Sequence, residues 1–157
     1  RVKMIREIFR LLLSILPSDI AYAHCDVPCG IYDPKGAQTA AVTVLKMVQL
    51  IQELPKENPS VNDRNKFVRC VWTKEEHARR CKEEILILWT DYFKPEHLEK
   101  FPNLHDTFWK AAKLCSKNKQ EVSLEAAEDL VKAVDEIATI FNQTKSAALN
   151  TANAAKK

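Results

Sequence analysis

The sequence predicts an all-α fold, an antiparallel four-helix bundle, on three observations. Only two glycines and seven prolines occur among 157 residues, and the prolines stand at apparent element boundaries. Alternating runs of Val, Ile and Thr, from which a half-buried sheet is made, are scarce. Four stretches instead repeat apolar residues at steps of three and four, and the 46% apolar content suffices to bury a core without help from disulfides. Short connections between such helices favour antiparallel neighbours.

Asp33 followed by Pro34 reads as a helix start, because Asp can cap free amides and Pro tolerates the first turn. Ala37, Ala41, Val44, Val48 and Ile51 then share one face, and Pro55 and Pro59 bracket the break after Leu54. A second helix starts near Asp63 and carries Phe67, Val71, Ala78, Cys81, Ile85, Leu88 and Tyr92 on one stripe, interrupted only by Lys74. Pro95 closes it and a short turn follows. A third helix from about Pro102 groups Leu104, Phe108, Ala111, Ala112 and Cys115, and Ser116 to Glu121 reads as a polar linker. Ser123 can cap a fourth helix with Ala127, Leu130, Val134, Ile137 and Phe141 in line. Beyond Ser146 the Ala, Asn, Thr and Lys content can bury little, so the bundle is placed at 35–148 and a disordered tail at 149–157.

The 24 basic and 21 acidic residues are mixed along the chain, for a net charge of +3. That is the pattern of solvated helix faces, so nucleic acid is not an expected partner. No apolar run reaches the roughly 18 to 20 residues that span a bilayer, so no membrane partner is expected. Residues 1–23 stand apart: Arg1, Lys3, Arg6 and Arg10 precede a short apolar stretch from Leu11 to Leu16, and Ala21-Tyr22-Ala23 is a small-x-small site of the kind signal peptidases cut. They read as a removable leader whose cleavage leaves His24 first. The five cysteines form no regular framework. Cys70 and Cys81, on one helix, lie roughly 16 Å apart at 1.5 Å per residue, too far to pair. Cys81 and Cys115 read as small buried hydrophobes, and Cys70 is assigned no role.

Residues 24–34 form a hook or loop, with no helical or strand period. Pro28 and Gly30 can bend the backbone so that Cys25 and Cys29 turn both sulfurs to one point, where two thiolates share a metal. Sulfur with nitrogen donors suits several late transition metals, and a planar set favours nickel(II) or copper(II) over tetrahedral zinc. His24 joins only as a terminal residue, because a free α-amine is a neutral donor near neutral pH and a peptide nitrogen is not. Its amine, the Cys25 amide and both thiolates then come from His24, Cys25 and Cys29, with the His24 ring as a further donor. On spacing alone, a disulfide or a zinc half-site is the commoner reading of such a cysteine pair.

The run His24-Cys25-Asp26-Val27-Pro28-Cys29-Gly30-Ile31-Tyr32-Asp33-Pro34 resembles the N-terminal nickel-binding hook of nickel superoxide dismutases. Leu88-Trp89-Thr90-Asp91-Tyr92-Phe93-Lys94-Pro95, with His97 after it, is similar to the same family's second recognisable stretch, and the likeness covers roughly residues 24–145. The resemblance implies a four-helix bundle with an N-terminal metal-binding hook, assembled as a homohexamer, and a leader removed by a maturation peptidase. It implies a nickel ion held by His24 through amine and ring, Cys25 through amide nitrogen and thiolate, and Cys29 through thiolate. It implies disproportionation of superoxide to dioxygen and hydrogen peroxide, the metal alternating between two oxidation states. Tyr32 and Tyr92 match tyrosines of the family's substrate pocket, where they orient small anions and ordered water; otherwise they read as packing. Asp26 is expected to bond hook amides and Lys94 to attract an anionic substrate, against the plainer readings of a turn residue and a solvated lysine. One departure stands out. Some members orient the axial imidazole with a glutamate on the first helix, held by an arginine on the second; the corresponding positions here are Ala40 and His77, and His77 is a candidate to take over part of that role, against the plainer reading of a surface or interface residue.

Other functions compete with this one. A metal-binding carrier or storage protein would use the same ligands but has no need of paired tyrosines. A structural helical bundle would be stapled by a Cys25–Cys29 disulfide. The leader is compatible with export, yet its short apolar part and the reduced thiols that nickel loading requires favour the cytoplasm.

Overall fold

A computed structural model of the chain describes residues 31–154, with side chains from 31 to 147. The leader and the expected donors His24, Cys25 and Cys29, with Asp26, lie outside the described residues. Helix α1 spans Lys35–Gln52 and buries Ala37, Ala40, Ala41, Val44, Val48 and Ile51. Asp33 helps start it, its carboxylate accepting from the Lys35 amide at 2.7 Å. Helix α2 spans Val61–Ile87 and opens with a capping box. The Ser60 hydroxyl accepts from the Asp63 amide at 3.1 Å, and the Asp63 carboxylate accepts from the Ser60 amide at 2.9 Å. The Ser60 hydroxyl, which also donates to the Asp63 carboxylate at 2.6 Å, and then the Ser60 amide hold the Asp63 carboxyl below its ordinary value.

The last turn of α2 widens into a π-helical turn, Leu88–Tyr92, closed by the Phe93 amide donating to the Leu88 carbonyl at 3.1 Å. Short α3 spans Pro95–Lys100, α4 Leu104–Gln120 and α5 Leu124–Ala154. Helices α1 and α4 each pack against both α2 and α5, which closes four long helices into a bundle. One apolar cluster fills its centre, with Val44, Val48, Ile85, Phe108, Leu130, Val134, Ile137 and Phe141 contributed by all four. Among the described residues there is no strand, and no helix is long and apolar enough to cross a membrane.

The helices agree with the apolar spacing, and the differences have local causes. Phe67 is 46% exposed, because no other helix covers the outer face of α2 before Cys70. Val68 stands on that same open stretch, and Trp72, one turn further along α2 from Val68, is exposed as well. Pro95 opens α3 instead of leading into a turn, since its missing amide is no loss at the first helical position. The stretch Ser116 to Glu121 is not a linker: α4 continues to Gln120, and buried Asn118 ties it to the next helix by donating to the carbonyls of Leu114 at 3.0 Å and Ala126 at 2.8 Å. Ser123 caps α5 as expected, accepting from the Ala126 amide at 3.2 Å. Helix α5 runs on to Ala154, past the point where a disordered tail was expected at 149–157; alanine, frequent there, is the best helix former.

Lys74 is no interruption of the α2 stripe but part of the buried face, at 2% exposure. Its ammonium reaches the C-terminal end of α4, bonding the Asn118 carbonyl and lying 3.3 Å from that of Lys119, with Glu75 at 3.0 Å. A helix end leaves carbonyls without intrahelical partners and carries partial negative charge, so a cation there both satisfies and neutralises it. Lys74→Met, which keeps the alkyl stem, should therefore lower unfolding free energy in urea by about 1–3 kcal/mol, the cost of buried acceptors left unmade. An unchanged midpoint would mean that water serves those carbonyls equally well.

Candidate active site

The wide turn at the end of α2 presents two aromatic residues in different directions. Trp89 lies parallel to Phe108 of α4, ring centroids 5.8 Å apart at 8°, and its indole N–H donates to His105 Nδ1 at 2.8 Å. That anchors the turn on α4. Tyr92, at the end of the turn, meets Phe141 of α5 at 4.4 Å between centroids, Phe93 at 4.9 Å and the imidazole of His97 at 5.8 Å, nearly parallel at 19°. His97 is held in turn, its Nδ1 accepting from the Lys94 amide at 3.1 Å.

The chain enters α1 past this cluster. Tyr32 is buried, at 8% exposure, with its ring centroid 5.6 Å from that of Tyr92 and the planes tilted by 58°. Residues from the segment before α1, the end of α2, α3 and α5 thus make one aromatic wall beside the point where the chain enters the bundle. The Tyr92 hydroxyl lies 2.8 Å from Thr144 Oγ1, which itself donates to the Phe141 carbonyl at 2.7 Å. Sequence reading singled out Tyr32 and Tyr92, and the fold brings them together. It missed Thr144 and treated Phe141 as core alone; the available signal was that Thr144 lies three residues beyond Phe141 on the α5 stripe. Lys94 is exposed, and its side chain makes no ion pair among the described residues.

Ala40 and His77 face each other across α1 and α2, beside Arg80 and Glu84, on a cleft of about 240 Å³. The methyl of Ala40 leaves the α1 side open. Gly36 lets the Glu84 carboxylate approach the first turn of α1, where a Cβ would stand 3.0 Å from it and where free amides attract negative charge. His77 Nδ1 is buried with no hydrogen-bond partner among the described residues. Burial first, and then the charge of Arg80, hold the His77 imidazole below its ordinary value, so the ring is neutral at neutral pH.

Cys70, Cys81 and Cys115 are free and buried. Hydrogen bonding with Cys115, and then burial, push the Cys81 thiol far above its ordinary value, so both behave as the inert apolar groups expected of them. Among the described residues no three of His, Cys, Asp and Glu stand together so as to hold a metal ion. The residues ahead of Ile31 offer a set that fits nickel: two soft thiolates from Cys25 and Cys29, with nitrogen donors from His24 and the Cys25 amide.

Comparison with known proteins bears on the same segment. The family model of nickel-containing superoxide dismutase matches residues 19–145. The nickel superoxide dismutase of Streptomyces seoulensis is 36% identical over 126 residues, covering 80% of this chain and 90% of that protein. That of Streptomyces coelicolor is 38% identical over 136 residues, covering 83% and 95%. A native nickel superoxide dismutase structure superposes with a TM-score of 0.69 at 32% identity, covering 78% of this chain and 99% of the other. One with its nickel ligation in the oxidised state gives 0.70 at the same identity and coverage. The match spans the hook, the bundle and the aromatic stretch together, and the chain belongs to the nickel-containing superoxide dismutase family.

Proposed function

We propose that this chain, cut before His24, disproportionates superoxide to dioxygen and hydrogen peroxide beside the wall formed by Tyr32 and Tyr92. As a family member it is an oxidoreductase with nickel as its cofactor. The ligands on this reading are His24 through its amine and ring, Cys25 through its amide nitrogen and thiolate, and Cys29 through its thiolate. Nickel, when bound, supplies a one-electron couple for the two half-reactions, and thiolate and amide donors favour its oxidised state.

The observation that carries the proposal is the Tyr32–Tyr92 pair at the root of the hook. A carrier or storage protein would need the ligands but not this wall. The rings exclude bulk water from one side of the site, and their hydroxyls give the water that accompanies a small anion polar partners. Lys94, exposed beyond Tyr92, adds positive charge along the approach of an anion. Asp26 is assigned to hold hook amides. On the departure at Ala40, the neutral ring of His77 and the carboxylate of Glu84 are among the polar groups next to the opened space, with Arg80, Lys35 and Thr39. Removal of residues 1–23 by a peptidase, residence in the cytoplasm and assembly as a homohexamer complete the reading. Phe67, Val68 and Trp72, exposed together on α2, are the kind of apolar surface that a subunit contact covers.

Protein beginning at His24 should bind about one nickel per subunit under reducing conditions and consume superoxide, while the full chain, whose His24 nitrogen is an amide, should do neither. Superoxide decay with metal analysis decides this. Nickel without superoxide consumption in the trimmed form would favour the carrier, and no nickel at all would make the hook structural. Cys25→Ser and Cys29→Ser should each lower activity by at least about 100-fold. Circular dichroism should stay helical, because the apolar cluster that holds the four helices together is drawn from residues 32–141.

A further inference from the structure

The geometry points to Thr144 as a positioning residue for Tyr92, one that turns the phenol so that it meets the water of the site as a hydrogen-bond acceptor. This inference rests on the reading of Tyr92 as a wall of the superoxide site. A threonine hydroxyl carries one proton. In α5 that proton goes to the Phe141 carbonyl, 2.7 Å away, which can only accept. The 2.8 Å contact between Thr144 Oγ1 and the Tyr92 hydroxyl therefore has Tyr92 as donor.

Reversing the direction would take the proton away from the Phe141 carbonyl at a position where Thr144 is only 6% exposed. Threonine is also stiff about its first side-chain bond and commonly bonds back to a carbonyl of the preceding helical turn. The Tyr92 ring has little freedom of its own, with Phe141, Phe93, Tyr32 and His97 at 4.4 to 5.8 Å between centroids. Ring and hydroxyl are thus both held, the ring by packing and the proton by Thr144.

The consequence concerns the source of protons. Two superoxide ions and two protons give one dioxygen and one hydrogen peroxide. With its own proton committed to Thr144, Tyr92 has lone pairs to offer the site, so it orients a water that donates to it. The protons of the peroxide come from solvent through such water, and no bond at Tyr92 breaks. Thr144 touches neither substrate nor metal in this scheme; it acts through Tyr92.

The test uses nickel-loaded protein beginning at His24. Thr144→Val keeps the shape of the side chain and removes its acceptor; Thr144→Ser keeps the hydroxyl. The readouts are the rate of superoxide consumption and the tyrosine Fermi doublet in ultraviolet resonance Raman spectra, which distinguishes a donating phenol from an accepting one. Thr144→Val should leave nickel content unchanged, lower kcat roughly 10- to 100-fold, up to the low end of what a positioned proton-transfer group contributes, and shift the doublet away from the donor signature. Thr144→Ser should restore most of both. In a Tyr92→Phe background Thr144→Val should cost nothing further, since the hydroxyl it positions is already gone.

An unchanged doublet and rate in Thr144→Val would overturn the inference. So would a loss of stability with the rate intact, or losses that multiply in the double variant. If Thr144→Val lost its helical fold, Thr144→Ala would be read against the same criteria. Failure of the unsubstituted trimmed protein to consume superoxide would instead overturn the proposed function, before Thr144 is touched.

Discussion

A single wide turn at the end of α2 governs the arrangement of the site. In a regular helix the side chains following Leu88 would continue the stripe that carries Ile85; one extra residue in the turn moves those beyond it by about 100°. The bond from the Phe93 amide to the Leu88 carbonyl closes that turn, and Lys94 then leaves in an extended conformation ahead of Pro95. A residue before proline is pushed out of the helical region in any case, so the sequence ends the helix where the turn has already loosened it. Leu88 stays in the core, Trp89 is pinned to α4, and Tyr92 is delivered to the junction of α3, α5 and the segment before α1.

From that junction follows the position of the N-terminal segment. Tyr32 is buried against Tyr92, and Pro34 is buried just before α1, so the chain arrives at the bundle along a defined line. The bundle supplies what a short peptide cannot: a wall that excludes water and a hydroxyl whose direction is set from behind by Thr144. The sequence ahead of Ile31 offers what the described bundle does not, a concentrated set of candidate sulfur and nitrogen donors. Wall and candidate donors are joined through only a few residues, so on the proposed reading a cut before His24 changes the ligand set and leaves the scaffold alone.

The cleft beside Ala40 belongs to the same economy. At Ala40 this chain has a methyl group, and the polar groups around it come from both helices, Lys35 and Thr39 of α1 with His77, Arg80 and Glu84 of α2. Gly36 permits this by leaving room for the Glu84 carboxylate at the first turn of α1. Interactions of opposite kinds can in this way occupy one region of the bundle while the core stripes behind it stay intact.

Much of this was legible before any coordinates. The stripes of Ala37 to Ile51, Leu104 to Cys115 and Ala127 to Phe141 are read directly from spacing, because helical period and burial are local properties of a chain. The candidate donors His24, Cys25 and Cys29 and the two tyrosines were nameable as residue types in an unusual order, since the donor chemistry of a side chain is covalent and does not wait for folding. Long-range partnership was not legible. Lys74 looked like a break in a stripe until the end of α4 was set against it, and Asn118 looked like linker until Ala126 accepted from it. Phe67 looked like core because periodicity tells which face it shares, not whether another helix covers that face. The meeting of Tyr32 with Tyr92, and of Tyr92 with Thr144, joins residues 60 and 52 positions apart in sequence, and only the packing of α1, α2 and α5 around one core decides that they touch.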